Sequence, residues 1–157
     1  MQIIDMKKKC DYYRIDISNN IIVGILLKRS IGLITTMFSC FKNRITYIPI
    51  DPNWPDERIN TIISDNHLKM IITTKEYSDR INSAQVIVID DRLSIEITKP
   101  IVKNEISYIL YTSGSTGVPK GVEIKYDSLC NFINGISEII DFTAGKRIAC
   151  LTSVSFD

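Results

Sequence analysis

The chain has 157 residues, about one domain's worth, and 45% of them are apolar, enough to build a core. Its 19 basic and 18 acidic residues leave a net charge of +1, so electrostatics gives no case for a nucleic-acid partner or an anionic membrane surface. The longest apolar run, residues 21–27, is far short of the about 20 residues a membrane helix needs, and Lys7, Lys8 and Lys9 lead into Cys10, Asp11 and Tyr12 instead of a signal-peptide core. The chain therefore reads as cytoplasmic, with no membrane partner.

Residues 21–27, Ile-Ile-Val-Gly-Ile-Leu-Leu, are continuous, apolar and rich in β-branched side chains. That pattern predicts a strand buried on both faces. Lys28 and Arg29 break it, and Ser30 is placed to cap a helix. In that helix Ile34, Met37, Phe38 and Phe41 share one face, which predicts packing on a sheet through those side chains. Residues 47–50 predict a second strand. A helix follows, with Pro55 in its first turn, Asp56 and Glu57 complementing its positive end, and Ile59, Ile62 and Ile63 on its inner face.

Strands are expected at residues 70–72 and 86–89, with a short helix over 75–81 between them. Residues 90–104, with Pro100 and mixed charges, read as a connection. A strand over 106–112 runs into a glycine-rich loop, and a short return strand spans 122–125. Leu129, Phe132, Ile133, Ile136, Ile139 and Ile140 mark a helical face, and residues 147–153 a last strand. Alternating strands and helices indicate an α/β fold: a layered, mostly parallel sheet with flanking helices.

The four cysteines, Cys10, Cys40, Cys130 and Cys150, have no close metal-ligand spacing and read as reduced, mostly buried thiols. His67 is the single histidine. It sits in a turn-like Ser64-Asp-Asn-His67 stretch, so histidine-dependent hydrolase chemistry has no basis here.

The chemistry concentrates in Thr112-Ser-Gly-Ser-Thr-Gly-Val-Pro-Lys-Gly121. Gly114, Gly117 and Gly121 permit close backbone approach. The hydroxyls of Thr112, Ser113, Ser115 and Thr116, with the bare amides of a curled turn, can donate to phosphate oxygens. Lys120 adds a mobile positive charge. The spacing is neither the G-x-x-x-x-G-K-[ST] loop nor the G-x-G-x-x-G fingerprint.

This loop resembles the signature of the acyl-adenylate-forming superfamily. Tyr47-Ile-Pro-Ile-Asp-Pro-Asn-Trp-Pro-Asp-Glu-Arg-Ile59 resembles a second segment, found in the amino-acid adenylation domains of nonribosomal peptide synthetases. Residues 22–30 resemble the strand and turn before it. Leu151-Thr-Ser-Val-Ser-Phe-Asp157 resembles the segment that lines the amino-acid pocket. Two departures stand out. Asn43, Arg44, Ile45 and Thr46 replace small glycines and alanines, and Tyr126 stands where the family often has histidine.

The resemblance implies an ATP- and Mg2+-dependent ligase. It would join an amino-acid carboxylate to AMP, release pyrophosphate, and pass the aminoacyl group to the phosphopantetheine thiol of a peptidyl carrier protein. Thr112, Ser113, Gly114, Ser115, Thr116, Gly117 and Lys120 would hold the ATP phosphates, and Asp157 the substrate ammonium. Residues 1–20 would be a leading segment. Residues 21–157 would be part of the N-terminal large domain, ending before the rest of the pocket and before the C-terminal domain that carries the catalytic lysine. This stretch is therefore expected to be inactive alone. Two other readings stay open: a non-catalytic remnant or split-module piece that keeps the phosphate loop, and adenylation of another acid such as D-alanine, an aryl acid or a fatty acid.

Overall fold

The computed structural model describes residues 12–16, 22–90, 92, 94–98, 104–112, 119–141, 152, 153 and 155. The elements in chain order are β1 (Tyr12–Asp16), β2 (Val23–Leu26), α1 (Ile31–Lys42), β3 (Tyr47–Ile50), α2 (Asp56–Asp65), β4 (Met70–Thr73), β5 (Gln85–Val88), β6 (Ser94–Thr98), β7 (Ile106–Thr112), β8 (Lys120–Lys125) and α3 (Tyr126–Ile139). Six strands form one sheet in the order β5-β4-β2-β3-β7-β8. Every pairing in it is parallel except β7 with β8. The expected layered, mostly parallel α/β architecture is what the chain adopts.

Residues of β2, β3 and β4 are buried throughout, as continuous apolar runs require when helices cover both faces. Alternate side chains go to opposite layers. Val23, Ile25, Leu27, Tyr47 and Ile72 point to a core that includes Leu33 and Cys40 of α1. Leu26, Ile48, Ile50 and Ile71 point to a second core with Ile59, Ile62 and Ile63 of α2. The inner face read for α2 is the one it buries.

Ser30 caps α1 as expected, its hydroxyl accepting from the Leu33 amide at 3.1 Å. The face that α1 buries differs from expectation. Gly32, Leu33, Thr36, Ser39 and Cys40 are buried, whereas Ile34 is 51% and Phe38 65% exposed. The physical reason is β6, a strand inside the stretch read as a connection. It pairs in parallel with β1, which lies in the leading segment. This two-stranded ribbon lies against α1 and is held by α1's polar groups. The Thr35 hydroxyl accepts from the Ile95 amide at 2.9 Å, and the Asn43 side chain donates to the Ile97 carbonyl at 2.7 Å. Ser39 donates to the same carbonyl at 3.3 Å. Ile15, Ile95 and Ile97 complete the core between ribbon and sheet.

Two smaller expectations also change, and a third falls mostly outside the described residues. The helix at 75–81 shrinks to a single 3-10 turn, Ser78–Arg80. Cys40 is buried, its thiol pushed far up in pKa by burial, but Cys130 is exposed. Of the strand expected at 147–153 only Thr152 and Ser153 are among the described residues, and neither is in a strand.

α3 is anchored at its start. Tyr126 is its one buried residue. The Tyr126 ring lies 5.4 Å from that of Phe41, with the Arg44 guanidinium 4.4 Å above it. Arg44 has φ 55°, the left-handed region that glycine enters without strain.

Candidate functional site

Because β2, β3, β4 and β7 run parallel, their carboxyl ends, at Leu26, Ile50, Thr73 and Thr112, lie on one edge of the sheet. From β2 the chain passes through α1 to β3 on one side. From β3 it returns through α2 to β4 on the other side of β2. Connections that part in this way leave a crevice at the carboxyl edge, where ligands of open α/β sheets bind. A cavity of about 350 Å³ opens there, bordered by Lys28, Arg29, Asp51, Asn53, Tyr77 and Ser153. Burial, then the Glu76 carboxylate beside it, push the Tyr77 phenol up in pKa, so it remains a neutral hydroxyl. Lys28 reaches Glu76 at 3.3 Å.

The phosphate-loop candidates belong to the β7–β8 hairpin. Thr112 and Lys120 are its last register pair, and both are exposed. They stand opposite each other at the mouth, on the same edge as the cavity. Ser113, Gly114, Ser115, Thr116 and Gly117 lie outside the described residues. Gly121 has a clear steric reason. A Cβ there would come within 3.1 Å of the Ile109 side chain and 3.3 Å of the Tyr111 ring, so any side chain at this position would have to push those neighbours aside by a few tenths of an ångström. The Tyr111 phenol is fixed in turn by the Asn66 amide, which donates to it at 2.6 Å.

Asp157 also lies outside the described residues, but the residues before it reach the cavity. The Ser153 hydroxyl donates to Asp51 Oδ2 at 2.9 Å, and Arg29 Nη2 donates to the Thr152 carbonyl at 2.6 Å. Ser155 is buried, its hydroxyl 2.7 Å from that of Ser153. Sequence reasoning places Arg29 and Asp51 within family-like segments and gives neither a role. The available signal is their position, one just past β2 and the other just past β3.

Among the described residues no three His, Cys, Asp or Glu side chains gather to hold a metal. The donor set at the hairpin mouth is hydroxyl and ammonium. That chemistry suits phosphate oxygens, and a magnesium ion carried by phosphates does not need a protein cage. No helix of the described residues is long and apolar enough to cross a membrane.

The model of the AMP-binding enzyme family matches residues 14–157. Syringomycin synthase SyrB1 of Pseudomonas syringae pv. syringae is 32% identical over 142 residues, covering 86% of this chain and 23% of its own length. Tyrocidine synthase 1 of Brevibacillus parabrevis is 30% identical over 145 residues, which are 87% of this chain and 13% of that protein. The chain thus spans less than a quarter of either relative. The nonribosomal peptide synthetase FmoA3, in its α-methyl-L-serine-AMP bound form, shares the fold with a TM-score of 0.69 at 17% identity, over 87% of this chain and 16% of that one. The sheet, the hairpin and this match across nearly all of its residues agree: the chain belongs to the AMP-binding enzyme family.

Proposed function

We propose that these residues are the phosphate-gripping, N-terminal part of an enzyme that activates an amino acid as its aminoacyl-adenylate for nonribosomal peptide synthesis. ATP would be the co-substrate, with Mg2+ on its phosphates, and pyrophosphate the leaving group. The acceptor would be the phosphopantetheine thiol of a peptidyl carrier protein. The observation that carries the proposal is the pairing of Thr112 with Lys120 at the mouth of a hairpin on the sheet's carboxyl edge, with the hydroxyl- and glycine-rich residues 113–117 between them. The nonribosomal peptide synthetases among its relatives support the choice of an amino acid.

Each group has a defined task in this reading. The substrate carboxylate attacks the α-phosphate, and the bond to pyrophosphate breaks. Lys120 and the hydroxyls of Thr112, Ser113, Ser115 and Thr116 stabilise charge on the β- and γ-phosphates and hold them in line for departure. Gly114 and Gly117 let backbone amides reach the same oxygens. Magnesium carried on the phosphates would neutralise part of their charge. Asp157 pairs with the substrate ammonium, so a carboxylic acid without an amine is bound poorly.

The test uses a complete adenylation enzyme containing these 157 residues and measures exchange of pyrophosphate into ATP. With an amino acid the exchange proceeds, and the des-amino analogue is a poor substitute. Asp157→Ala should abolish use of the amino acid, because its ammonium is left buried and unpaired. An unchanged preference for the amino acid in Asp157→Ala overturns the role of Asp157, whereas wild-type exchange that is as fast with the des-amino analogue points to an aryl or fatty acid. Absence of exchange with every acid points to the non-catalytic reading.

A further inference from the structure

We propose that Asp51 and Arg29 are positioning residues that set where the substrate ammonium is held, by fastening Thr152, Ser153 and Ser155 to the carboxyl ends of β3 and β2. The proposal rests on the reading of Asp157 just given.

Two side chains from different strand ends reach the same short segment. Arg29, three residues past β2, donates to the Thr152 carbonyl at 2.6 Å. Asp51, the residue after β3, accepts from the Ser153 hydroxyl at 2.9 Å. The bonds alternate between backbone and side chain of adjacent residues, so the segment is fixed both along and across its direction. Ser155 continues the chain of contacts: its amide donates to the Ser153 oxygen at 3.3 Å.

Asp51 is itself held in orientation. Its Oδ1 accepts from the amide and the side chain of Asn53, both at 2.9 Å, which leaves Oδ2 turned to Ser153. The turn carrying Asp51 and Asn53 is braced from the far side. Arg80 donates to the Pro52 carbonyl at 2.6 Å and the Trp54 carbonyl at 2.7 Å, and its Nε donates to Asp56 at 2.6 Å. The arrangement runs from a rigid sheet through a braced turn to the segment, which is how a site is held to sub-ångström tolerance.

Asp157 follows Ser155 by two residues, and two residues of chain span at most about 7 Å. The point at which Ser155 is pinned therefore limits where the Asp157 carboxylate can stand. Loosening the tether would not alter the phosphate grip of the hairpin. It would blur the ammonium position. Misplacement of about 1 Å is enough to cost a large factor in a reaction that depends on geometry.

The experiment compares wild type, Asp51→Ala, Asp51→Asn, Ser153→Ala and the Asp51→Ala/Ser153→Ala pair in the complete enzyme. Asp51→Ala should raise KM for the amino acid about tenfold and leave KM for ATP within about twofold. Asp51→Asn keeps an acceptor oxygen and should recover most of the loss. Ser153→Ala should reproduce it, and the pair should be no worse than either single variant. A merely structural role would move both KM values together, and additive single effects or an unchanged KM for the amino acid overturn the proposal. Amide hydrogen exchange supplies the arm that needs no activity: the Ser155 amide should exchange faster in Asp51→Ala, with the β2 and β3 amides unchanged. An unchanged Ser155 rate also overturns it. Should the Ser155 amide be released while wild type uses the des-amino analogue equally well, the amino-acid reading fails and the tether stands for another acid.

Discussion

The sheet's centre and its β7–β8 end are built from the same kinds of element yet packed very differently. Strands β2, β3 and β4 are covered by α1 on one face and α2 on the other, and their side chains are buried to the last residue. At the β8 end, α3 buries only Tyr126, while Phe132 is 64% and Ile139 84% exposed. The centre is a place where packing sets stability. The hairpin end is a place where groups are presented. Loops and edges that meet ligands come from the less stable part of a fold, because they must remain accessible.

Three experiments break or sharpen that contrast. The largest effect on stability belongs to the centre: Ile62→Ala, at a fully buried position of α2, should cost about 3 kcal/mol in denaturant unfolding. A loss below about 1 kcal/mol would mean that the two-faced packing does not set stability. Lys120→Ala should leave the unfolding midpoint in place, since the side chain is exposed. It should lower the ATP-dependent rate of the complete enzyme roughly ten- to a hundredfold, the worth of one charge-assisted hydrogen bond of about 1.5–3 kcal/mol. Lys120→Arg should rescue only partly, a planar fork being a poor copy of a compact ammonium. Smallest of all, Phe132→Ala should change stability by no more than about 0.5 kcal/mol. A cost above about 2 kcal/mol would show that the outer face of α3 is covered in solution.

Most of the central sheet is legible because its signals are local. Residues 47–50 and 106–112 have the ends that their apolar runs predict, and Ser30 reads as a cap from one side chain next to an apolar run. The face of α1 is not legible. A stripe of Ile34, Met37 and Phe38 is the stronger hydrophobic pattern, but Thr35, Ser39 and Asn43 are drawn inward by the unpaired backbone of β6. That demand arises from a strand more than 50 residues away in sequence and leaves no mark on the helix itself. β6 escapes a reading of the sequence although Ser94-Ile-Glu-Ile-Thr98 alternates, because Pro100 and the charges around it speak for a connection.

The site is legible as a motif and not as a geometry. The loop residues read as phosphate-binding from the sequence alone, yet the contacts of Arg29 and Asp51 depend on a segment over 100 positions further along. The two departures from the family pattern are separate features of the sequence. The fold brings them together, with Arg44 stacked on Tyr126. The left-handed strain of a non-glycine at residue 44, about 1 kcal/mol, is offset by a cation–π contact worth about 0.5–1 kcal/mol.

The β1–β6 ribbon has a kinetic consequence. Its strands pair in parallel across about 80 residues of chain, a closure whose entropy must be met before any contact rewards it. Among the described residues the ribbon does not bond to the main sheet as a strand; it is held by α1. Its docking surface therefore does not exist until α1 has settled on β2. In time as well as in space the ribbon comes second. The slowest contacts to form are those of β1, which precedes β2 in the chain yet is among the last of the described strands to find its place.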